Sequence, residues 1–202
     1  DLLLKINSQE NVTWKGNLRA PMENQTVYPR ATNNGKLPVW IAVGGTPESV
    51  LRAARLGLPL VVAIIGGLPK QFKPLIAYYK QEYLKNGHNP DEMQIGIHSH
   101  TLVSEDPEVI DAYFENYAAQ MNRIGSTRGW SPYTKMQYEG GRSKDGALFI
   151  GNYDEVAEKI NTVKEMFGLT RYIAHMDVGA PSHEVMMKSI ELFGTKVAEK
   201  VR

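Results

Sequence analysis

Residues 36–67, KLPVWIAVGGTPESVLRAARLGLPLVVAIIGG, constrain the fold more than any other stretch of the chain. Pro38 opens a short run, 39–43, that carries no charge and is rich in β-branched residues, as a strand covered on both faces requires. Gly44 and Gly45 follow, where the backbone turns sharply and a side chain would clash. Thr46, Pro47 and Glu48 then supply an N-cap, a first helical residue with its φ already set, and a carboxylate in the first turn. Val50, Leu51, Ala54 and the stem of Arg55 form an apolar stripe, and Gly57 is placed to end the helix. A second buried strand, 60–65, comes at once. Strand, helix and strand in so short a span make a βαβ unit, whose two strands run parallel with a right-handed crossover.

The turn at Gly44, Gly45 and Thr46 leaves backbone N–H groups pointing off a helix N-terminus, a setting that favours a bound anion such as a phosphate. The same residues also make an ordinary, well-capped βα turn. They match neither the G-x-G-x-x-G nor the P-loop pattern.

The rest of the chain repeats this grammar. Glycines at 66 and 67 close the second strand, and a helix is expected over 71–85. A third strand spans 93–103, MQIGIHSHTLV, in which Gln94, Gly96, His98 and His100 share one face. Asp106 caps a helix over 107–123, a second helix spans 153–167, a fourth strand spans 171–178, and a last helix runs from 183 to about 201. Two stretches break the rhythm. Residues 1–35 read as an extended excursion or loose hairpin, whose Trp14, Arg19 and Arg30 either pin it down or form a substrate or phosphate wall, and 124–150 as a glycine-rich insertion long enough to be a lid.

Four strand-then-helix units indicate a parallel α/β architecture, one partial barrel domain over 1–202. A closed TIM barrel takes about 250 residues and eight strands. The 202 residues here, opening on the apolar Leu2, Leu3 and Leu4, read instead as the later half of such a barrel. Half a barrel exposes strand edges, so a homo-oligomer that covers them is expected.

Composition narrows the partners. Basic and acidic residues number 23 and 22, which gives no reason to expect nucleic acid or an anionic membrane surface. No cysteine is present, so thiolate chemistry is excluded and a reducing cytoplasm is the natural setting. No apolar run approaches the roughly 20 residues that span a bilayer.

Taken in order, several pieces resemble the C-terminal half of the luciferase-like, flavin-dependent monooxygenases. They are Val27, Tyr28, Pro29 and Arg30; PVWIAVGGTPES at 38–49; LGLPLVVAIIGG at 56–67; Arg128, Gly129 and Trp130; GNYDEVAEKI at 151–160; and HEVMMKSIELFG at 183–194. The resemblance implies that the four strands are the fifth to eighth of a TIM barrel. It places Gly44, Gly45 and Thr46 beside the phosphate of FMN, or of the deazaflavin F420, and Ala63 and Ile64 near the ring system. Bacterial luciferase has an acidic residue and a serine where this chain has Val43 and Gly44. That difference leaves backbone N–H groups and the Thr46 hydroxyl as the phosphate donors.

The resemblance further implies a reduced flavin, supplied by a separate reductase, that reacts with O2 and oxidises a small organic substrate. The protein then has to hold the cofactor, exclude water and supply at most a general acid or base. His98 and His100, near the C-terminal end of their strand, are the candidates for that role. Three other readings of the chain stay open. The histidines can be hydrogen-bonded interior residues, or join His175 in a three-histidine metal site. The whole can be a non-catalytic, luciferase-like flavin-binding or structural subunit, or an unrelated phosphate-binding barrel.

Overall fold

The computed structural model describes residues 1–32 and 36–201, which form two compact units, Asp1–Val39 and Trp40–Arg202. Residues 33–35, the end of the expected excursion, lie outside the described residues.

The first unit begins with a helix, α1 (Leu2–Ser8), and an antiparallel pair, β1 (Asn11–Trp14) and β2 (Met22–Thr26), so the loose hairpin is present. Side chains rather than a core hold it. Thr26 Oγ1 donates to Asn11 Oδ1, the Asn24 amide to Thr13 Oγ1, and Arg30 to the Ile6 carbonyl. Asn7 binds both the amide and the carbonyl of Leu37.

The second unit is built on parallel strands. β3 (Ile41–Val43) leads through α2 (Pro47–Arg55) to β4 (Leu60–Ala63), and α3 (Lys73–Lys85) leads to β5 (Ile95–Val103). After α4 (Pro107–Ser126) come α5 (Lys135–Arg142), β6 (Phe149–Gly151), α6 (Tyr153–Phe167), β7 (Arg171–His175) and α7 (His183–Leu192). A π-helical turn, Phe193–Val197, joins α7 to α8 (Ala198–Val201), so the expected last helix is present with its winding loosened midway. β3, β4, β5 and β7 pair side by side, all parallel, as an arc whose two edges are β3 and β7.

Three expectations are corrected. The insertion expected over 124–150 contains a helix and a strand, α5 and β6. Thr134 and Gln137 start α5 with a capping box, and its last turn runs through Gly140 and Gly141, residues that mimic a loop in sequence. β6 is the exposed-looking insertion's most buried piece, part of the run 146–150 in which every residue is buried. Finally, the strand expected over 171–178 stops at His175, and the third begins at Ile95 rather than 93.

The hydrogen-bond pattern explains how β5 serves so many partners. Its even-numbered groups face one edge: Leu60 N–H donates to Gln94 O and Ile64 N–H to His98 O. Three residues past His98, the last partner of β4, β6 takes over that same edge from Thr101, and Ser104 N–H donates to Gly151 O. The odd-numbered groups face β7, with Thr170 N–H donating to Ile95 O; beyond the end of β7, Val103 N–H is satisfied by the Ser189 hydroxyl of α7.

One face of the arc packs on the helices. Val43, Leu60, Val62, Ile64, Ile95 and Ile97 meet Val50, Ala53, Ile76, Tyr79, Ile160 and Phe167 in the main core. The other face shows cross-strand rows: Ala42, Val61, Gly96 and Arg171; then Ala63, His98 and Ile173; then His100 and His175. Layers of this kind fill a barrel interior.

The segment between α5 and β6 is held by Lys159 of α6, a buried residue whose ammonium donates to the carbonyls of Gly141, Arg142, Ser143 and Leu148 at 2.5–3.3 Å. Burial pulls its pKa down to about 8. At Gly146 a Cβ would strike the carbonyl oxygens of Gly140 and Gly141, whereas at Gly140 it would meet open space. Gly146→Ala should therefore cost about 1–3 kcal/mol, while Gly140→Ala should leave stability unchanged or raise it by up to about 1 kcal/mol. Urea unfolding of the two variants checks this; equal midpoints would contradict it.

Candidate active site

β3 ends at Val43 because Gly45 takes a φ of +128°, open to glycine and strained for other residues. The clash expected there is absent: nothing lies within 4 Å of where a Cβ would sit on Gly44 or Gly45, and only the φ of Gly45 calls for glycine. Thr46 caps α2 with its backbone in the extended region, but its hydroxyl makes no capping bond. Its carbonyl accepts from the Ser49 and Val50 amides. Among the described residues, none accepts from the amides of Gly44, Gly45, Thr46 or Glu48, and all four residues are exposed. The turn is thus a donor-lined, uncrowded bend at the C-terminal end of a parallel strand, where anions are favoured by the helix dipole. Glu48 opposes that preference with one negative charge in the first turn.

The next strand supplies two different environments. Ala63 sits half-buried beside His98 on the row-bearing face. Ile64, one residue on, points the opposite way into the helix-facing core and is fully buried; its amide donates to His98 O at 2.9 Å and its carbonyl accepts from the Ser99 hydroxyl. Adjacent strand residues cannot share a face, so Ala63 alone of this pair lines the arc's interior.

The histidines meet as the alternation required. His98 and His175 pack with ring centroids 4.9 Å apart, and His100 and His175 edge to face at 5.3 Å. His100 Nδ1 lies 2.8 Å from the hydroxyl of Tyr117, one helix away on α4. His175 Nε2 pairs with Asp177 at 2.7 Å, while its Nδ1 is buried without a partner among the described residues. Burial lowers the pKa of His100 from 6.5 to about 4, helped by repulsion from His175 and His98 and resisted by Asp177. Burial and His175 lower that of His98 as well. Both rings are therefore neutral at pH 7, each able to donate through one nitrogen and accept through the other. Among the described residues no cluster of three or more histidines and carboxylates is arranged to hold a metal ion, so the three rings meet as packed aromatic groups.

Where β4 leaves the edge of β5 and before β6 arrives, a cavity of about 500 Å³ opens. Gly66 and Leu68 line one side, and Met121, Trp130, Tyr133 and Leu148 others. Tyr133 lies edge-on to Tyr117, their ring centroids 5.4 Å apart. Burial pushes both phenols up, so both stay protonated. Neither tyrosine stands out in sequence. The capping box at Thr134 and Gln137 was the readable sign that a helix, and so a wall, stood there.

The neutral state of His100 carries a stability consequence. Its folded pKa lies below its unfolded value, so the unfolded chain binds the extra proton first, and stability falls as pH drops from about 6.5 towards 4. The full effect is on the order of 3 kcal/mol. His100→Gln should flatten the stability profile in that window relative to the parent chain. Denaturant unfolding at pH 7, 5.5 and 4.5 measures it, and parallel profiles for the two proteins would refute it.

Comparison with curated protein sequences finds no match. Solved structures do match. The chain aligns over 98% of its length with 58% of monooxygenase RslO1 from Streptomyces bottropensis, at 18% identity and a TM-score of 0.76. It aligns over 98% with 60% of the oxygenating constituent of 3,6-diketocamphane monooxygenase from Pseudomonas putida in complex with FMN, at 18% identity and a TM-score of 0.61. For the coenzyme F420 dependent tetrahydromethanopterin reductase from Methanopyrus kandleri the figures are 100%, 61%, 14% and 0.63. At such identities the likeness speaks for the fold. The chain spans about three fifths of the length of these relatives. In sequence, residues 1–170 match the family described as luciferase-like monooxygenase, and the parallel (β/α) arc agrees with it. The chain belongs to the luciferase-like monooxygenase family.

Proposed function

We propose that the protein is a flavin-dependent oxidoreductase that uses reduced FMN and O2 to oxidise a small organic substrate. The observation that carries the reading is the bend at Gly44, Gly45 and Thr46, which offers unpaired amides and room for a phosphate at the end of a parallel strand. A family match over residues 1–170 supports it. One structural relative is in complex with FMN and another is coenzyme F420 dependent, so F420 is the alternative cofactor. Both cofactors carry a phosphate, and the bend suits either.

When bound, the cofactor supplies the electrons and the reaction with O2. The chain's own residues have simpler tasks. The amides of Gly44, Gly45 and Thr46, with the free Thr46 hydroxyl, hold the phosphate. Ala63 keeps the adjoining row low, and Ile64, locked between His98 and Ser99, fixes where β4 ends. His98 and His100 serve as the neutral acid–base and hydrogen-bonding groups of the interior, His100 braced by Tyr117. In this reading a separate reductase supplies the reduced flavin, a second copy of the chain covers the exposed edges β3 and β7, and the cysteine-free chain works in the cytoplasm. Among the described residues no helix is long and apolar enough to cross a membrane.

Gly44→Asp tests the bend without crowding the fold, because the new side chain enters open space. A carboxylate beside a phosphate should weaken FMN binding by about tenfold or more and leave riboflavin, which lacks the phosphate, within about twofold. Equal losses for both ligands would contradict the assignment. Oxygen consumption and product formation with reduced FMN then separate an enzyme from a flavin-binding subunit that does not catalyse.

A further inference from the structure

We propose that Lys159 is a proton-operated latch: as an ammonium it holds the turn between α5 and β6 closed, and as a neutral amine it releases that turn. The Nζ of this buried residue lies 3.3 Å from the carbonyl oxygen of Gly141, 3.2 Å from that of Arg142, 2.8 Å from that of Ser143 and 2.5 Å from that of Leu148. One side chain thus ties the last turn of α5 to the residue that precedes β6. The backbone crosses the same turn with bonds from Leu148 N–H to Gly141 O and from Gly146 N–H to Ser143 O. Packing adds little. Ser143, Lys144 and Asp145 are exposed; a cavity of about 440 Å³ lies between them and Glu155 and Glu158 of α6, and one of about 40 Å³ lies between Gly146 and Pro69.

Charge decides what Lys159 can hold. An ammonium shares three N–H donors among the carbonyls, whereas a neutral amine has two donors and turns a lone pair towards them. Loss of the proton therefore strips donors from a turn that has empty space on either side. The groups facing Nζ come from every element around it. Arg142 at the end of α5 opposes the charge, Glu155 on α6 and Asp145 in the turn favour it, and the Phe149 ring centroid of β6 lies 5.1 Å away; Lys70, Lys144 and Glu158 line the flanking cavities. Burial and Arg142 outweigh the two carboxylates and bring the pKa from 10.5 down to about 8.

The release is local. Because the folded pKa lies below the unfolded value, the unfolded chain keeps, from about pH 8 to 10.5, a proton that the folded chain has given up, and this group makes overall stability rise with pH. What loosens is the turn, and with it Gly141, Ala147 and Leu148, which wall the cavity beside the end of β4. The proposal is independent of the oxidoreductase reading, since neither cofactor nor substrate takes part.

Hydrogen exchange of the full chain, followed amide by amide at low ionic strength and divided by the intrinsic rate at each pH, tests the latch. Protection of the Gly146 and Leu148 amides should fall by about tenfold or more from pH 7 to pH 9, while that of the β5 amides should not fall. Lys159→Met keeps a buried stem without the charge, so its turn should be as weakly protected at pH 7 as the parent's is at pH 9, with no further change as the pH rises. Asp145→Asn, at an exposed position, removes a carboxylate that favours the ammonium and should move the fall to lower pH; it decides the question should the methionine variant fail to fold. Constant protection in the parent chain, parent-like protection at pH 7 in Lys159→Met, an unmoved midpoint in Asp145→Asn, or a parallel loss across β5 would each overturn the proposal.

Discussion

The second unit depends on one strand. β5 hydrogen-bonds to β4 and then β6 along its even-numbered edge, and to β7 along the other. With neighbours on both flanks, its register is fixed, because a slip of one residue would turn Ile95, Ile97 and Val103 out of the helix-facing core and His98 and His100 into it. Burying unpaired imidazoles among aliphatic side chains costs far more than any ladder bond returns. The alternation that keeps oil on one side therefore also assembles the rows on the other, and the same constraint makes the core and the histidine cluster.

Much of this was legible in the sequence. Periodicity located all four arc strands, and the parity of Gly96, His98 and His100 announced their shared face before any coordinates. The βα bend at Gly44, Gly45 and Thr46 is where the strand–glycine–threonine–proline order put it. What escaped has physical causes. Glycines at 140 and 141 disguised the last turn of a helix whose stability comes from a capping box and the buried Tyr138 rather than from propensity. A strand of three residues carries too little period to register, although the buried run 146–150 marked it. The partnership of His100 with Tyr117 bridges strand and helix, and no local pattern encodes it.

Lys159 shows the same tension between sequence and environment. A lysine on an amphipathic helix is ordinarily solvated, yet here burial is tolerated because the ammonium lies within hydrogen-bond distance of four carbonyls at the end of α5 and the start of β6, of which those of Gly141 and Ser143 also accept from the Leu148 and Gly146 amides. Its Nζ lies 5.1 Å from the centroid of the Phe149 ring, so the charge has both polar and aromatic neighbours.

The bond from Ser104 N–H to Gly151 O means that the chain leaves β5 and returns to it at one spot. Everything between, α4 and α5 included, is a detour with adjoining ends, and closing a detour costs little more when it grows longer. Such an arrangement lets the segment between them change in length and sequence while the arc beneath keeps its geometry, so that variation there leaves the strand register untouched.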